Sequence, residues 1–437
     1  MINAVLLAVI IMVGLSLMRV HVVLSLVVGA LIGGMTAGLS LQDTLSVFQD
    51  GIKNGAQIAL SYAMLGAFAM AIAHSGVPQL IADKLVTRLR TGAASTRLKY
   101  SIFAILGVMA ILSQNVIPIH IAFIALIVPP LLLLFNQLKI DRRSLACILT
   151  FGLVNTYMFI PYGFGDIFLN QIILKNINDA GMATGELSMI KTMSIPALGM
   201  FMGLLIAVFV SYRGQREYAD VTITTTHTPA TPAKKNIIIA LVAIVLAFVV
   251  QLLSDSLLIG SIAGFLIFVA TGVVRWHDAE AVFNDGIKMM AMIGFVMICA
   301  QGFAEVMKAT GQIDALVQAA TDIFGQNKWL AALSMLLVGL VVTMGIGSSF
   351  STVPIIAAIY VPLCMAMGFS VPATVALVAT AGVLGDAGSP ASDSTLGPTM
   401  GLNADNQHDH IRDSVIPTFI HYNIPLIIFG LIATMVL

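Results

Sequence analysis

An eleven-residue polar run near the C-terminus combines two carboxylates with four hydroxyl side chains. It reads GDAGSPASDST from Gly385 to Thr395, between apolar stretches. Gly and Pro interrupt a helix and free its carbonyls, while Asp, Ser and Thr add the hard oxygen ligands that suit Na+. A carboxylate at membrane depth costs roughly 2.5–3.5 kcal/mol, which predicts that Asp386 and Asp393 function as proton carriers. A turn beyond the membrane surface is the alternative. The predicted ion-binding residues of this run are Asp386, Ser389, Ser392, Asp393 and Thr395.

A second polar interruption occurs in the first half of the chain. Residues 155–157 read NTY, and PYGFGD follows from Pro161 to Asp166. Gly and Pro stop the helix here, and a half-helix N-terminus beside such a break suits an anionic substrate group. The predicted substrate-binding residues of this region are Asn155, Tyr162 and Asp166.

Two further apolar segments are divided by polar tips. Lys99 and Lys139 belong to basic clusters that the positive-inside rule places in the cytoplasm, yet the segment between them is too long for one helix. A re-entrant hairpin over about 100–136 resolves this, and about 329–366 repeats the pattern around a GIGSSFST tip. The tips supply the predicted ion ligands Asn115, Ser348 and Ser349, and the predicted substrate contacts Ser351, Thr352 and His120.

Two isolated polar groups each allow two interpretations. His120 follows the first tip and could bind substrate, or only pack with one hydrogen bond. Glu305 lies in an apolar run and is a candidate proton carrier. With Lys308 three residues later, it could equally cap a helix or extend to the outer surface.

The elements that must position these residues occur twice in the chain. FQDGIK, which ends at Lys53, returns as FNDGIK, which ends at Lys288, 235 residues later. Gly29 falls on Gly264 at the same offset. A duplicated membrane half is typical of secondary transporters, whose substrate site lies where the repeats meet.

Composition places the chain in a membrane. Only 10% of the 437 residues are charged, against about 25% in soluble domains, and 59% are hydrophobic. The net charge of zero argues against a nucleic acid partner. The predicted partners are membrane lipid and a small cation, with Na+ and H+ as coupling or transported ions. We expect no other cofactor and no transition-metal site.

The predicted fold is an all-α polytopic membrane protein with two inverted-topology repeats. Each repeat has about five transmembrane helices and one re-entrant hairpin, with broken helices at the midplane. Residues 1–212 form the first repeat, with its broken helix at about 144–172, and a cytoplasmic linker follows at 213–235. Residues 236–437 form the second, with its broken helix at about 371–400. This places all but five of the 21 Lys and Arg inside and both termini in the periplasm of a bacterial inner membrane.

The run from Gly385 to Thr395 resembles the GD-x-x-SP-x-SDTT signature of the NhaC-type sodium/proton antiporter family, within the ion transporter superfamily. The stretch from Gly397 to Pro425 is similar to a shorter branch that includes amino acid permeases, among them histidine permeases. The resemblance implies ion binding at the five residues of the run named above, and a homodimer through the scaffold helices. Asn115 and the Ser348-Ser349 pair resemble the ion-clasping tips of related anion symporters.

This chain departs from the signature at two positions. Ala387 stands where the family often has His, and Ser394 stands where it has the first Thr. The missing His leaves room for an organic substrate. The predicted function is therefore an ion-coupled secondary transporter with alternating access, not an enzyme. Exchange of Na+ and H+ and ion-coupled transport of a histidine-like amino acid remain as alternatives.

One rival function comes from another class. The literal GxGD of residues 163–166 is a feature of intramembrane aspartyl proteases, with Asp386 as the second acid of a dyad. Such a short motif recurs by chance in Gly-rich chains, and a protease does not explain the duplication.

Overall fold

The computed structural model describes residues 3–18, 20–77, 80, 96–115, 122–219, 234–254, 256–324, 327–390 and 392–437. Within these ranges the regular elements are helices, joined by a single isolated bridge between Ile140 and Gln215. The all-α prediction is confirmed for this part of the chain. The helices of the first half are α1 (Ala4–Leu17), α2 (Val22–Thr36), α3 (Leu41–His74), α4 (Thr96–Asn115), α5 (Ala122–Gln137), α6 (Arg142–Phe159), α7 (Phe164–Asp179) and α8 (Met189–Ser211). Those of the second half are α9 (Lys234–Ser254), α10 (Leu257–Ala270), α11 (Trp276–Ala309), α12 (Ile313–Phe324), α13 (Lys328–Ile346), α14 (Ser349–Ala366), α15 (Val371–Val383), α16 (Asp393–Leu402) and α17 (His410–Val436).

Several of these helices can cross a membrane by length and composition. Four described helices are long and apolar enough, namely Arg97–Gln114, Met189–Ser211, Ser349–Ala366 and His410–Val436. The pair α6 and α7 makes a fifth if it is counted as one broken span, with a bend of 55°. Shorter apolar helices, including α10 and α15, accompany them.

The two longest helices pack against each other in antiparallel directions. Helices α3 and α11 each have 34 residues and begin 235 positions apart. A Cβ on Gly51 would lie 2.7 Å from the Cα of Gly302, and the backbone of Gly66 lies against Gly286. Small residues at these crossings allow the helix backbones to approach closely.

Each of the two long helices carries a phenylalanine ring that packs against a glycine of the other half of the chain. The ring of Phe303 on α11 packs on Gly29 of α2, and the ring of Phe68 on α3 packs on Gly264 of α10. Phe68 and Phe303 are 235 residues apart, as are Gly29 and Gly264. The duplicated sequence positions therefore make equivalent contacts in space.

The basic clusters meet at one end of the molecule. Lys99 donates to the carbonyl of Arg213 at 3.1 Å, and Lys139 pairs with Glu217 at 2.5 Å. Arg216 pairs with Asp413 at 2.7 Å. The first seven residues of the predicted linker thus pack against the helix ends, and its residues 220–233 lie outside the described part of the chain.

Two backbone breaks and one sharp tip lie between helices. The first broken helix continues through the NTY stretch to Phe159, so the prediction of an interruption at 155–157 is wrong; the break follows at Pro161–Gly163, with φ of 59° at Gly163. In the second, α15 ends at Val383 and a short 3-10 turn, Asp386–Gly388, precedes α16. The arms α13 and α14 of the second predicted hairpin join at Gly347, in the left-handed region at φ 77°.

Candidate ion and substrate site

Asp386 lies in the second break, with only 5% of its surface exposed. The hydroxyl of Ser392 donates to its Oδ1, and the phenol of Tyr157 donates to its Oδ2. The hydroxyl of Ser394 lies 3.5 Å from Oδ2. A carboxylate removed from water requires such donors, because burial without hydrogen bonds is strongly unfavourable. Of the residues predicted to bind an ion, Ser392 thus lies at the Asp386 carboxylate.

Tyr157 brings the two halves of the chain together at this carboxylate. It stands near the end of α6 in the first broken helix, and its hydroxyl lies 2.8 Å from the Oγ of Ser349, the first residue of α14. Its ring packs edge-on against Phe168, with ring centroids 4.9 Å apart. The phenol is thus fixed by packing and by two polar contacts. We call Asp386, Tyr157, Ser349, Ser392 and Ser394 the Asp386 cluster.

Two predicted ion ligands support the loop instead of facing Asp386. The hydroxyl of Thr395 donates to the carbonyl of Ser389 at 2.5 Å, and Ser389 donates to the carbonyl of Met344 at 3.1 Å. The amide of Gly385 donates to the side chain of Asn423 at 2.8 Å. Gly385 has φ of 90°, and a Cβ there would lie 2.9 Å from the amide nitrogen of Met344. These contacts set the shape of the break.

Asp393 occupies a different environment from Asp386. It is the first residue of α16, and its side chain is exposed. The unpaired amides at a helix N-terminus favour a negative charge at this position. Asp393 thus reaches the surface of the structure beside the buried carboxyl of Asp386.

The described residues include most of the second hairpin tip but little of the first. In the second, Thr352 donates to the carbonyl of Ser348 at 2.9 Å, and the hydroxyl of Ser351 is buried with no partner among the described residues. In the first, Asn115 ends α4 with no description of its side chain, and His120 lies outside the described residues. Among the described residues of the two tips, Ser349 belongs to the Asp386 cluster.

The predicted substrate residues of the first break do not join the cluster. Tyr162 is 45% exposed and its ring lies edge-on to Phe248, with centroids 6.1 Å apart. Asp166 accepts hydrogen bonds from Asn170 at 2.7 Å and from Gln171 at 2.9 Å, both on its own helix.

Asn155 and Glu305 also lie apart from the hydrogen bonds of Asp386. The side-chain oxygen of Asn155, two residues before Tyr157, is buried without a partner among the described residues. Glu305, on the long helix α11, pairs with Lys308 at 3.6 Å. Both side chains of this pair are partly exposed.

Comparison with known proteins identifies the family. A family model described as "Na+/H+ antiporter family" matches residues 148–431, and a second, described as "Na+-H+ antiporter family", matches residues 3–89. This chain belongs to the Na+/H+ antiporter family. The family resemblance inferred from the run at Gly385–Thr395 is confirmed, and the protein is a multi-pass membrane transporter of the secondary type, in a family of transporters and not of enzymes.

Relatives and solved structures agree with this assignment. An uncharacterized membrane protein of Vibrio parahaemolyticus is 56% identical over 440 residues and covers 100% of both chains. YuiF of Bacillus subtilis, named for a proposed role as an amino acid transporter, is 47% identical over 446 residues and also covers 100% of both. The structure of MtrF from Neisseria gonorrhoeae, described among antimetabolite efflux pumps, matches with a TM-score of 0.62 at 15% identity, over 98% of this chain and 95% of that one. At that identity the likeness shows a shared fold.

The hydroxyl groups of the Asp386 cluster can reverse their hydrogen-bonding roles. Hydroxyl groups both donate and accept hydrogen bonds. Around an ionised Asp386, the hydroxyls of Tyr157 and Ser392 donate to the carboxylate. When the carboxyl is protonated, or when a hard cation binds, hydroxyls rotate and present lone pairs instead.

Three features of the site have no counterpart among the predicted site residues. Tyr157 was visible only as part of the polar NTY stretch, and Asn423 only as a polar residue in an apolar helix. The buried pair of Arg142 with Asp405, at 2.5 Å, joins positions 263 residues apart, for which the sequence gives no spacing signal.

Proposed function

We propose that this protein is a cation-coupled secondary active transporter in which H+ and Na+ compete for Asp386. One observation carries the proposal. A buried carboxyl is surrounded by hydroxyl groups from three separate elements, α6, α14 and the second break. Binding of either cation then needs only hydroxyl rotation, and loading of one excludes the other. Exchange of Na+ and H+ across the inner membrane follows from this competition.

We propose an inverted-topology arrangement as the basis of alternating access. Its support is the antiparallel packing of α3 and α11, which begin 235 residues apart, and the exchanged contacts of Phe68 and Phe303. Equivalent helices that run in opposite directions are expected when the repeats are related by an axis in the membrane plane. The pair α3 and α11 then forms the scaffold, and the hairpin arms move against it.

We propose that the end of the molecule where the basic residues meet is the cytoplasmic end. Lys139, Arg213 and Arg216 lie together there, which favours a cytoplasmic position by the positive-inside rule. Both termini are then periplasmic. A homodimer through the scaffold helices remains a prediction.

Amino acid transport is the second candidate, with H+ or Na+ at Asp386 as the coupling ion. Two observations favour it. The full-length relative YuiF is named for amino acid transport. The buried oxygens of Asn155 and Ser351 have no partners among the described residues, and polar groups of an organic substrate would satisfy them.

Purified protein in liposomes containing a pH-sensitive dye tests both candidates. Sodium pulses are applied first, and radiolabelled histidine is then offered under a sodium or proton gradient. For exchange, we expect sodium-evoked proton movement that disappears in Asp386→Asn, because the amide cannot carry the proton or the charge. The matched control is Asp166→Asn, which removes the carboxylate of the other break and should retain activity.

Each outcome is informative. Histidine accumulation without sodium-evoked proton movement would support the second candidate, and its loss in Asp386→Asn would place the coupling ion at the same carboxyl. Full activity of Asp386→Asn in both assays would overturn the proposed site.

A further inference from the structure

Buried side-chain hydrogen bonds connect the first broken helix to the second at three levels. Arg142 donates to the carbonyl of Leu402 at 2.8 Å, and Thr150 donates to the carbonyl of Ser394 at 2.8 Å. The third level is the contact of Tyr157 with Asp386. The residue numbers of the three donors on α6 increase by eight and then by seven. Those of their acceptors, from Leu402 to Asp386, decrease by eight each time. The two segments therefore run antiparallel in one fixed register.

The spacing places the three donors on one side of α6. Seven or eight residues correspond to about two helical turns, so the donors from Arg142 to Tyr157 are distributed over about four turns, or roughly 22 Å. A slip of the helix at one end would move every level together. The register at the Arg142 end is thus coupled to the geometry at Asp386.

The Arg142 end carries the strongest of these contacts. Its guanidinium donates to both carboxylate oxygens of Asp405, at 2.6 and 2.5 Å, and to Asn136 at 2.9 Å. The side chains of the ion pair are 0% and 1% exposed. A two-pronged pair fixes orientation as well as distance, which a lysine cannot do.

The segment that leaves the first half lies over this pair. The ring of Tyr218 lies 4.3 Å from the guanidinium, and its hydroxyl accepts from the backbone amide of Arg142 at 3.1 Å. The side chain of Gln407 bonds to both the amide and the carbonyl of Ala219, at 2.7 and 2.8 Å. The pair is thereby sealed from water.

Stability alone does not account for such a pair. Desolvation of two charges offsets much of their attraction, and apolar replacements of similar volume often preserve or increase stability. Specification of a register is the best-attested benefit of a buried ionic group. The three levels show which register is specified here.

We propose that Arg142 is a positioning residue for the coupling-ion site. Through Asp405 it holds α6 and α16 in the register that brings the Tyr157 hydroxyl to Asp386. The two broken helices, one from each half, then move as one body during transport. This proposal rests on the proposed function for its transport consequence, and on the three levels of contact alone for its structural part.

The transport arm compares Arg142→Lys with Arg216→Lys in liposomes. Both changes keep the charge, and Arg216 pairs with Asp413 at the same end of the molecule but is partly exposed. For Arg142→Lys we expect about a tenfold higher half-saturating Na+ concentration, because displacement of catalytic or binding groups has effects of this size or larger. Arg216→Lys should remain within about twofold of the parent. An unchanged half-saturation with only a lower thermal midpoint would mean a purely structural role.

The structural arm is independent of any transport activity. Thr150→Cys and Ser394→Cys are introduced into a chain whose Cys147, Cys299 and Cys364 are replaced by Ala, and oxidative crosslinking is followed on gels. We expect crosslinking that falls at least about fivefold with Arg142→Lys and is unchanged with Arg216→Lys. Equal crosslinking in both backgrounds would overturn the register proposal. If the parent transports neither Na+ nor histidine, the crosslinking result still decides the register proposal.

Discussion

The two broken helices have similar sequences of small, acidic and helix-breaking residues but different environments. The first break places Tyr162 at the surface and pairs Asp166 with amides of its own helix. The second encloses Asp386 among hydroxyls of its own run and among those of Tyr157 and Ser349, which come from elsewhere in the chain. A break in a helix is therefore not sufficient for a site. A site also needs a buried charge that has hydrogen-bond partners from other elements. The first half supplies such a partner, Tyr157, from the helix before its break.

Substitution of the tyrosine of each break should give the largest difference in Na+ affinity between the two regions. Tyr157→Phe removes a hydroxyl oxygen from the proposed Na+ site. Loss of one polar contact to a buried charge is worth about 1.5–3 kcal/mol, so the half-saturating Na+ concentration should rise roughly 10–100-fold. Tyr162→Phe removes a hydroxyl from a partly exposed side chain and should change affinity by less than about twofold. Half-saturating Na+ in the liposome assay measures both. Equal effects of the two changes would mean that the two breaks contribute alike to the site.

Substitution of one glycine in each break should distinguish an effect on stability from an effect on transport. Gly385 has φ of 90° and Gly163 has φ of 59°, where an L side chain is strained. Gly385→Ala and Gly163→Ala should each lower the free energy of unfolding by about 1–3 kcal/mol. Transport by the protein that remains folded should fall only for Gly385→Ala, whose neighbour is Asp386. Thermal midpoints and transport rates per folded molecule are the two measurements. Loss of specific activity in Gly163→Ala would remove this distinction.

The smallest expected effect is a pH dependence at the end of the second broken region where the basic residues meet. Burial lowers the pKa of His408 from 6.5 to about 4, and Arg142 and Arg216 act in the same direction, while the carboxylate of Asp413 opposes them. Because this pKa is below the unfolded value, the stabilising contribution is complete above pH 6.5 and is lost as the pH falls toward 4.

Thermal midpoints at pH 7.5 and pH 5.0 test this sign. We expect the parent to lose roughly 2–4 °C more than His408→Gln over that interval. His277→Gln is the control, since its imidazole is 99% exposed. A decrease in His408→Gln equal to that of the parent would contradict the assignment to His408.

Much of the architecture could be predicted from local pattern. The repeat offset found in FQDGIK and FNDGIK matches the starts of α3 and α11, and the GDAGSPASDST run contains the break that holds Asp386. The NTY stretch was misassigned because polar residues inside a helix do not end it when tertiary contacts satisfy them. Tyr157 finds such contacts at Ser349 and Asp386.

The sequence by itself determined the membrane class, the duplication and the family, and it predicts a role for Asp386. These follow from composition, from periodicity and from residues adjacent in the chain. Only the tertiary structure decided that Tyr157 and Ser349 serve that carboxyl, that Ser389 and Thr395 support the loop, and that Arg142 meets Asp405. The physical reason is separation along the chain. A buried charge selects whichever donors the fold brings within hydrogen-bond distance, and no local pattern records residues that are 192 to 263 positions apart.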